Sequence, residues 1–517
     1  MKHRCACRQL QLEKIVFCII FAAACLVGVV SPAISATITL MPWNNLQNAV
    51  KANPAGTTFL LRPGIYRQAS ITAIKNGDRF LGQPGAILDG AKQLSGWTIV
   101  SIHGASYWTT AGGTPLSSPR CGARQCCLPD YPGCAYVQNL YVDNVNYHHV
   151  VSLDNVTPGT WYYDFDGNDG GTRNNIYMAL SDRPNSRNVE LSDQNHAFAG
   201  SAANVTIKDL VIEKYAAPIQ MAAVQPQGPN WLIESNEVRL NHGFGIKALP
   251  GGDNVRVLGN NVHHNGQMGI GTGRVSGGLW DGNKVSYNNI DGVNPGFEAG
   301  GSKFVGNNIT ISNNVVHDNY GVGLWTDAGA SYNTYDHNIC YDNVGGIYYE
   351  ISRYGVIKNN TVYGNTKFAQ IVYTGSDHGR ITGNTVVDNG TGAIYIQNIV
   401  GTRPGTTIYP LTDTQVTNNT IVILKPKSVA AGLRDFARPS EPGVFTDPTN
   451  LFEGNVYKFS GQPQFSGLLR FASNRPSGPF WYWGENGARG SQRVDWRNWQ
   501  TSGHDRQGRL VRSSAGG

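Results

Sequence analysis

The chain has 517 residues, of which 15% are charged and 40% are hydrophobic, and its formal net charge is +6. Glycine contributes 63 residues, about one in eight, against a usual share of ~7%. This composition argues against coiled coils and helical bundles, which are rich in Glu, Lys, Ala and Leu. It also argues against a disordered chain, because 24 Tyr, 17 Phe and 11 Trp are available to form a core.

The N-terminal segment predicts export. Residues 1–14 carry four cations and one anion, an uncharged apolar run follows over 15–30, and small residues close the segment at 31–36. This is the pattern of a secretory signal peptide, so we expect residues 1–36 to be removed and the protein to be secreted, extracellular or periplasmic. The alternative is a retained membrane anchor, but the run of 16 residues is shorter than the ~20 that span a bilayer.

Removal of the signal changes the net charge from +6 to 6 − 3 = +3. So weak a positive charge, without a dense Lys/Arg cluster, argues against nucleic-acid binding. We therefore expect no contact with nucleic acid, and after signal cleavage none with a membrane. We also expect the protein to be a monomer.

Four cysteines lie within 14 residues of a loop-like stretch, at Cys121, Cys126, Cys127 and Cys134. In an exported protein they predict two local disulfides, whose pairing the spacing leaves open. A zinc site is the alternative, but the adjacent Cys126 and Cys127 do not match the usual CxxC spacing of ligands. Cys340 is left over, and we expect it to be a buried apolar residue.

A repeat between residues 230 and 400 is the strongest pattern in the chain. Each repeat contains two asparagines five residues apart, then a Gly-rich turn and an apolar strand. The pairs are Asn236/Asn241, Asn260/Asn265, Asn283/Asn288, Asn314/Asn319, Asn338/Asn343, Asn360/Asn365 and Asn384/Asn389. Their first members are separated by 24, 23, 31, 24, 22 and 24 residues, so one repeat carries an insertion. A fixed period of this size predicts a stacked repeat architecture.

The content of each repeat indicates the kind of stack. The apolar runs are short and β-branched, and no repeat holds the ~10 residues of helical periodicity that leucine-rich, ankyrin or tetratricopeptide repeats need. A coil of three short strands uses about this many residues, and asparagines aligned at a turn can stack amide on amide. We expect the glycines that follow each second asparagine, such as Gly269 and Gly323, to permit a tight turn into the strand.

These features resemble the right-handed parallel β-helix proteins of the pectate-lyase-like superfamily. Residues 46–50 are similar to the amphipathic helix that caps such proteins, residues 57–66 to their first coil, and the strands at 265–270, 317–327 and 346–352 to later coils. The resemblance implies an all-β fold, a right-handed parallel β-helix with an N-terminal capping helix, in a secreted carbohydrate-active protein. The Asp-Pro-His-Glu run associated with mannuronan epimerases is absent.

The sequence divides into five segments. After the signal at 1–36 we expect an N-terminal cap with the first coils at 37–96, and the repeats at 201–460. Residues 97–200 interrupt the rhythm and predict a β-rich insertion that contains the cysteines. Residues 461–517 form an aromatic tail, which we expect to cap the exposed end of the solenoid; carbohydrate binding by the tail is the alternative.

Stacking of coils ~4.8 Å apart turns repeat register into spatial adjacency. Alignment of the strands on their Gly-Ile or Gly-Leu start predicts a column that contains Asp327, Glu350 and Gln397. Counting back from Asn314 by the same 11 residues that separate Asp327 from its own asparagine adds Lys303 to this column.

A second column, two residues earlier on the same outward face, contains Lys247, Trp325, Tyr348 and Tyr395. Glu298, in the inserted loop, is expected at its edge. Aromatic rings beside carboxylates are suited to sugars, because the rings cover C–H surfaces while the carboxylates bind hydroxyls or exchange protons. The plainer interpretation is a surface ion pair worth ~0–1 kcal/mol, with the aromatic rings packed under the insertion.

Three functions remain open on this evidence. In a glycoside hydrolase, Lys303 keeps Asp327 ionised while Glu350, with a pKa raised by its neighbour, protonates the leaving oxygen. Retention and inversion of the anomer both remain compatible with the rung spacing. In a polysaccharide lyase on a uronate, Lys303 or Lys247 abstracts a proton. The third possibility is a noncatalytic carbohydrate-binding or surface protein.

The sequence shows no spacing of His, Cys or carboxylates that is typical of a metal site. We therefore expect no metal ligand and no required cofactor, and Ca²⁺ enters only with the lyase mechanism. The expected partner is a polysaccharide.

Overall fold

The computed structural model describes residues 36–116, 126–388, 390–425, 428–439, 442–459, 480–484 and 492–512. Three long sheets wind around one core, and nearly all of their strand pairs are parallel. The prediction of an all-β parallel β-helix is confirmed.

The first sheet has 13 described strands. They are Thr37–Leu40, Thr58–Leu61, Arg79–Gly82, Thr206–Lys208, Leu232–Glu234, Arg256–Leu258, Leu279–Asp281, Thr310–Ser312, Thr334–Asp336, Val356–Lys358, Arg380–Thr382, Gln415–Thr417 and Leu451–Glu453.

The second sheet also has 13 described strands. They are Gly64–Arg67, Ala86–Asp89, Val211–Glu213, Glu237–Arg239, Asn261–His263, Lys284–Ser286, Val315–His317, Ile339–Tyr341, Thr361–Tyr363, Thr385–Asp388, Thr420–Ile423, Val456–Phe459 and Arg509–Arg512.

The third sheet, called here the site sheet, has 12 described strands. They are Phe198–Gly200, Ala222–Pro226, Phe244–Ala248, Met268–Thr272, Gly300–Phe304, Val322–Thr326, Gly345–Glu350, Ile371–Thr374, Ile394–Asn398, Ala431–Asp435, Phe480–Gly484 and Gln492–Val494.

Helices are few and short among the described residues. They are the α-helices α1 (Leu46–Ala52), α2 (Pro295–Glu298) and α3 (Trp496–Thr501), with 3₁₀ turns at Leu153–Asn155, Pro184–Ser186 and Pro442–Phe445. In α1, Leu46 and Val50 are buried, as expected of an amphipathic helix. Asn45 is the N-cap residue of this helix, and its side chain accepts a hydrogen bond from the Asn48 N–H. None of the helices in the described residues has the length and apolar character that a bilayer span requires.

The core is a stack of β-branched side chains. In the three-residue strands the middle residue points inward and its two neighbours point outward, as the twofold strand period requires. Val238, Val262, Val285 and Val316 are therefore fully buried one above another, and Cys340 continues the column as a free, buried thiol. This confirms the apolar role predicted for Cys340.

Two ladders of asparagine side chains run along the inside corners of the helix. In each, the Nδ2 of one asparagine donates to the Oδ1 of the asparagine one coil further on. The first ladder runs through Asn236, Asn260, Asn283, Asn314, Asn338, Asn360, Asn384, Asn419 and Asn455 to Asp505, at 2.9–3.0 Å. The second runs through Asn241, Asn265, Asn288, Asn319, Asn343 and Asn365 to Gln370, at 2.7–3.1 Å. Asn389 lies outside the described residues.

The glycines that follow each second asparagine are required by close packing, and not by the tight turn that the sequence predicts. A Cβ at Gly269 would lie 2.5 Å from Val285 Cγ1 and 2.8 Å from Asn288 Nδ2. A Cβ at Gly323 would lie 2.6 Å from the Cys340 sulfur. These positions require glycine because the strand passes directly over the ladder and the core, and not because the backbone turns.

An antiparallel sheet interrupts the solenoid after its second coil. Its strands, in spatial order, are Ala91–Gln93, Val189–Ser192, Leu140–Val142, Val145–Val150, Thr160–Tyr163, Asn175–Met178, Ala105–Ala111 and Thr98–Ile102. Within that order the pairing of Val145–Val150 with Thr160–Tyr163 is parallel. The sheet has its own aromatic core, which includes Trp97, Trp161 and Tyr163.

Polar contacts fix this sheet to the solenoid. Glu190 contacts both Arg67 and the buried Lys214, whose Nζ lies 2.7 Å from it. Asn139 and Asn146 donate to the two oxygens of Asp291 at 2.9 and 2.7 Å. Because the solenoid partners Arg67, Lys214 and Asp291 come from different coils, these contacts fix the position of the antiparallel sheet along the solenoid axis and hold it against the solenoid surface.

The cysteine segment contains the disulfide Cys127–Cys134. Cys126 is also disulfide-bonded, whereas Cys121 lies outside the described residues. One local bridge is thus confirmed, and a four-cysteine zinc site is excluded by it.

The C-terminal end of the solenoid is closed by α3. Trp499 is fully buried against Phe452 and donates through Nε1 to Asp505, which also ends the first asparagine ladder. The aromatic strand at 480–484 continues the site sheet, while residues 460–479 lie outside the described residues. A capping role for the described part of the tail follows from these contacts.

The ladder should contribute strongly to stability. Asn260→Ala removes an acceptor from Asn236 and a donor to the Ile233 carbonyl, which leaves buried polar groups without partners. We expect the free energy of unfolding to fall by about 2–4 kcal/mol, measured by chemical denaturation. The matched control is Asn261→Ala, since Asn261 is half-buried and its Oδ1 accepts no hydrogen bond from the described residues. An equal loss in both variants would contradict a special role for the ladder.

Candidate functional site

Eight consecutive strands of the site sheet carry the predicted site residues. They are β1 (Phe244–Ala248), β2 (Met268–Thr272), β3 (Gly300–Phe304), β4 (Val322–Thr326), β5 (Gly345–Glu350), β6 (Ile371–Thr374), β7 (Ile394–Asn398) and β8 (Ala431–Asp435). All seven neighbouring pairs are parallel, so each position on a strand forms a column along the axis.

The strand register reproduces most of the predicted columns. Glu350 pairs with Thr374 and Thr374 pairs with Gln397, and Asp327 directly follows β4 in line with Glu350. In the second column Trp325 pairs with Tyr348, and Tyr395 stands two coils further on.

The predicted position of Lys303 is wrong by two residues. Lys303 pairs with Gly271, and so belongs to the column of Trp325 and not to that of Asp327. The cause is a shorter turn: Phe304 and Thr310 are 310 − 304 = 6 residues apart, whereas their partners Thr326 and Thr334 are 334 − 326 = 8 apart. Counting back from the asparagine therefore overshot along the strand.

Lys303 nevertheless reaches Asp327. Its Nζ lies 2.8 Å from Asp327 Oδ2 and 2.7 Å from Glu298 Oε1, and 4.0 Å from the centre of the Trp325 ring. The inserted helix α2 thus brings Glu298 to the edge of the site, as expected. One ammonium group thus contacts two carboxylates and lies over an aromatic face.

Glu350 occupies a buried position on the next rung. Trp325 Nε1 donates to its Oε2 at 3.1 Å, and Arg403 forms an ion pair with its Oε1. Burial raises the pKa of Glu350, and the neighbouring Asp327 carboxylate raises it further, while Arg403 and Lys303 act in the opposite direction. The pKa of Glu350 is therefore raised by its surroundings, although Arg403 is its direct cationic partner.

A cavity of about 590 Å³ opens beside Glu350 on the outward face of β5 to β8. Four aromatic side chains line it, namely Tyr348, Phe368, Tyr395 and Phe436. Four cations also line it, namely Lys367, Arg403, Arg434 and Arg438. Thr374 and Gln397 supply neutral polar groups on its floor. The volume of this cavity is typical of small-ligand sites.

The aromatic and cationic groups of the cavity are coupled. The Arg434 guanidinium lies 4.5 Å from the centre of the Tyr395 ring and 5.1 Å from that of Phe436. Burial, together with the Glu350 carboxylate, raises the pKa of Tyr348, so its phenol remains protonated. The pocket thus offers ring faces, a phenol and guanidinium groups to a ligand.

Lys247 lies at the other end of the site. Its Nζ donates to Gln220 Oε1 at 2.9 Å and lies 4.2 Å from the centre of the Phe244 ring. Burial lowers the pKa of Lys247 to about 8, Lys303 contributes in the same direction, and Glu298 opposes them. Lys247 therefore approaches the range in which a lysine acts as a base.

Sequence reasoning missed the arginines of the cavity. Arg434 pairs with Gln397 on the neighbouring strand. Two features of the sequence could have identified its strand: the small and apolar run 430–433 that precedes Arg434, and Asn419, which continues the first asparagine ladder one coil beyond Asn384. Arg403 had no such signal, because it lies in a long loop, 399–414, outside any repeat register.

A second, much smaller cavity of about 10 Å³ lies between the insertion and the solenoid. Its lining includes His148, His149, His242 and Asp291. Burial lowers the pKa of His149 to about 3, with His242 contributing, so His149 remains neutral. Across the described residues, no three His, Cys, Asp or Glu side chains are grouped to hold a metal ion.

Comparisons with known families agree with this fold. The family described as "Right handed beta helix region" matches residues 174–335, and the family described as "Periplasmic copper-binding protein (NosD)" matches residues 281–424. No curated protein matches the chain significantly.

The solved complex of XylC with xylose is similar to this chain at 14% identity and a TM-score of 0.54, over 75% of this chain and 76% of the other. The mannuronan C-5 epimerase AlgE6 A-module of Azotobacter vinelandii is similar at 11% identity and a TM-score of 0.42, over 91% and 93%. The tailspike gp61 of Pseudomonas phage phi297 follows at 9% identity and a TM-score of 0.40, over 86% and 71%. The XylC likeness and the match to the right-handed β-helix family agree with the right-handed parallel β-helix fold seen here.

The copper named in one family does not match the donors present in the matched segment. Copper favours imidazole and sulfur ligands. His317 Nδ1 lies 2.7 Å from Asp318, and the Cys340 thiol is enclosed in the core. Among the described residues no three His, Cys, Asp or Glu side chains are grouped around these donors, so the copper in that family's description is not carried over to this chain.

The hydrogen bond from the Trp325 indole should lower the pKa of Glu350. Trp325→Phe keeps a ring under Lys303 but removes the N–H that donates to the Glu350 carboxylate. We expect the pKa of Glu350 to rise, because a hydrogen bond to its charged form is lost. The measurement is a ¹³C NMR titration of the glutamate carboxyl groups. Trp43→Phe, at an exposed N-terminal position, is the control, and a Glu350 titration unchanged in Trp325→Phe would contradict the assignment.

Proposed function

We propose that this right-handed parallel β-helix of the pectate-lyase-like type is an exported glycoside hydrolase that acts on a polysaccharide in the cavity beside Glu350. The observation that carries the proposal is the pair Asp327 and Glu350 on adjacent rungs, with different partners. Two carboxyl groups held in different electrostatic environments are what acid-assisted glycoside cleavage requires.

Glu350 is the proposed general acid. Its pKa is raised mainly by burial, which favours the protonated form that a general acid needs. It borders the cavity, where the glycosidic oxygen of a bound saccharide would be placed. Protonation of that oxygen converts the leaving sugar into an alcohol.

Asp327 is the proposed nucleophile. Lys303 balances its negative charge at 2.8 Å, and the Ala328 N–H donates to its other oxygen at 2.6 Å. Rungs ~4.8 Å apart are close to the ~5–5.5 Å between carboxyl groups of retaining enzymes and shorter than the ~6.5–9.5 Å of inverting enzymes. We therefore propose retention of the anomeric configuration through a glycosyl-Asp327 intermediate.

The cavity supplies saccharide binding. The rings of Tyr348 and Tyr395 offer faces to the C–H surfaces of a sugar, and Gln397 offers an amide to its hydroxyl groups. XylC, which shares the fold, is solved with xylose, and that complex is consistent with a saccharide ligand. Export agrees with the N-terminal segment and with the periplasmic description of one matching family.

A polysaccharide lyase is the second candidate, and Lys247 is the observation that favours it. A lysine with a pKa lowered to about 8 is a competent base for a proton next to a uronate carboxyl group. The donor set does not favour Ca²⁺, because Lys303 and Arg403 already face the carboxylates that such an ion would use. The proposed chemistry therefore passes through no metal.

Glu350→Gln tests the hydrolase. We expect polysaccharide cleavage to fall at least ~10²-fold, while binding and the folded state persist, because the amide cannot donate the proton. In the wild-type protein the rate should fall as pH rises through the elevated pKa of Glu350, since only the protonated form acts. The measurement is the release of reducing ends across a panel of polysaccharides at several pH values.

Glu234→Gln is the matched control for that variant. Glu234 forms an ion pair with Lys208 on the first sheet and does not line the cavity, so activity should be unchanged. Full activity of Glu350→Gln would overturn the site. A failure of the wild-type protein to cleave any polysaccharide that it binds would favour the noncatalytic alternative.

Lys247→Gln separates the two enzyme mechanisms. In a hydrolase that uses Asp327 and Glu350 we expect less than about a tenfold loss of rate, because Lys247 contacts neither carboxylate. In a lyase the loss should reach about 10²–10⁴-fold. Ultraviolet absorbance of unsaturated uronates, followed in parallel with reducing ends, gives an independent answer, since hydrolysis forms no double bond.

A further inference from the structure

A long loop brings a cation onto Glu350 from a distant coil. Residues 399–414 connect β7 to the strand Gln415–Thr417, whereas the equivalent connection one coil earlier is only 375–379. The longer loop reaches back two rungs, and Arg403 within it forms the ion pair with Glu350.

The two partners of this ion pair differ in burial. The Glu350 side chain is 9% exposed, and the Arg403 side chain is 49% exposed. Residues 403–407 of the loop are all exposed. The loop is fixed further along, where the Tyr409 N–H donates to the Gly375 carbonyl at 3.1 Å and the Tyr409 ring lies 5.1 Å from the Arg353 guanidinium. Arg403 can therefore leave Glu350 without unpacking the core.

Departure of Arg403 would remove the direct cationic partner of Glu350, and burial and the Asp327 carboxylate would then favour its neutral form more strongly. Asp327, which directly follows β4, faces it with a negative charge, and Trp325 on β4 is neutral. Lys303 on β3 also acts on Glu350 as a cation, and it already contacts both Asp327 and Glu298. Arg434 on β8 and Lys367 line the same cavity.

The cavity also offers an alternative partner position for an anion. Four cations and one carboxylate line it, an excess of 4 − 1 = 3 positive charges. A carboxylate on a sugar matches the planar guanidinium in shape and charge, and would compete with Glu350 for Arg403.

We propose that Arg403 is a positioning residue that gates Glu350: it holds the carboxylate in the free protein and releases it when an acidic group of a saccharide takes its guanidinium. This inference rests on the proposed function, in which Glu350 is the acid. The proton that Glu350 then takes up comes from a hydronium ion or water of the solvent: one O–H bond of that donor breaks as the carboxyl O–H bond forms, and no other covalent bond changes. Binding of an acidic saccharide thus leads to protonation of the Glu350 that cleaves it, whereas a neutral saccharide can bind while Glu350 stays paired with Arg403.

The direct test is the titration of Glu350, assigned by its loss in Glu350→Gln, in protein with ¹³C-labelled glutamate carboxyl groups. D-glucuronate is the acidic probe and D-glucose the neutral one. We expect glucuronate to raise the pKa of Glu350 in the wild-type protein and glucose to leave it unchanged. In Arg403→Gln the pKa should already be raised in the free protein and should not rise further with glucuronate.

Arg438→Gln is the matched control, because it removes another arginine from the same cavity while Arg403 keeps its contact with Glu350. Its free-state Glu350 pKa should remain at the wild-type value. The gate is overturned if glucuronate at its highest soluble concentration fails to raise the wild-type pKa, or if Arg403→Gln responds to glucuronate like the wild type.

Cleavage provides a second readout. The ratio of kcat/KM for an acidic over a neutral polysaccharide should fall at least tenfold in Arg403→Gln, and an unchanged ratio would overturn the gate. The two proposals fail separately. A Glu350 that responds to glucuronate in a protein that cleaves no polysaccharide removes the hydrolase alone, while cleavage without the response removes the gate alone.

Discussion

The hydrogen bond between the side-chain amides of successive asparagines is the interaction on which the rest of the structure depends. Each amide both donates and accepts, so a column of asparagines satisfies itself inside a corner where no water is needed. The ladder also fixes where each coil bends, because an asparagine displaced by one residue would leave two buried neighbours unsatisfied. The flat columns of the site sheet follow from this constraint.

The site uses those columns to place charges that would otherwise repel each other. Asp327 and Glu350 stand on neighbouring rungs, an arrangement that is destabilising unless cations compensate it. Lys303 reaches Asp327 along the sheet, and Arg403 reaches Glu350 from above it. One cation belongs to the rigid scaffold and the other to an exposed loop, and this difference separates the two carboxyl groups chemically.

The sequence was sufficient to predict the fold and most of the columns, because both depend on short local patterns that repeat. The spacing of the asparagines identified the coils, and the period of two placed Trp325 and Tyr348 on one face. It failed at Lys303, where a turn two residues shorter than its neighbour shifted the register without leaving a local signal. It failed completely at Arg403, since the conformation of a long loop depends on tertiary contacts such as that of Tyr409 with Gly375, and not on a repeat. The covering of the site was unpredictable for the same reason.

The end of the second ladder at Gln370 has a consequence for the shape of the pocket. Gln370 accepts from both nitrogens of Asn365 and donates back to its carbonyl, so the short segment 366–369 is clamped at its two ends. Phe368, which lines the cavity, is carried by this clamped segment, whereas Arg403, which also lines it, belongs to the exposed part of 399–414. The cavity is therefore lined by one segment that hydrogen bonds hold at both ends and by one exposed loop segment that is free to move. Ligands of different widths would be accommodated by movement on one side only, with their position against the aromatic wall kept constant.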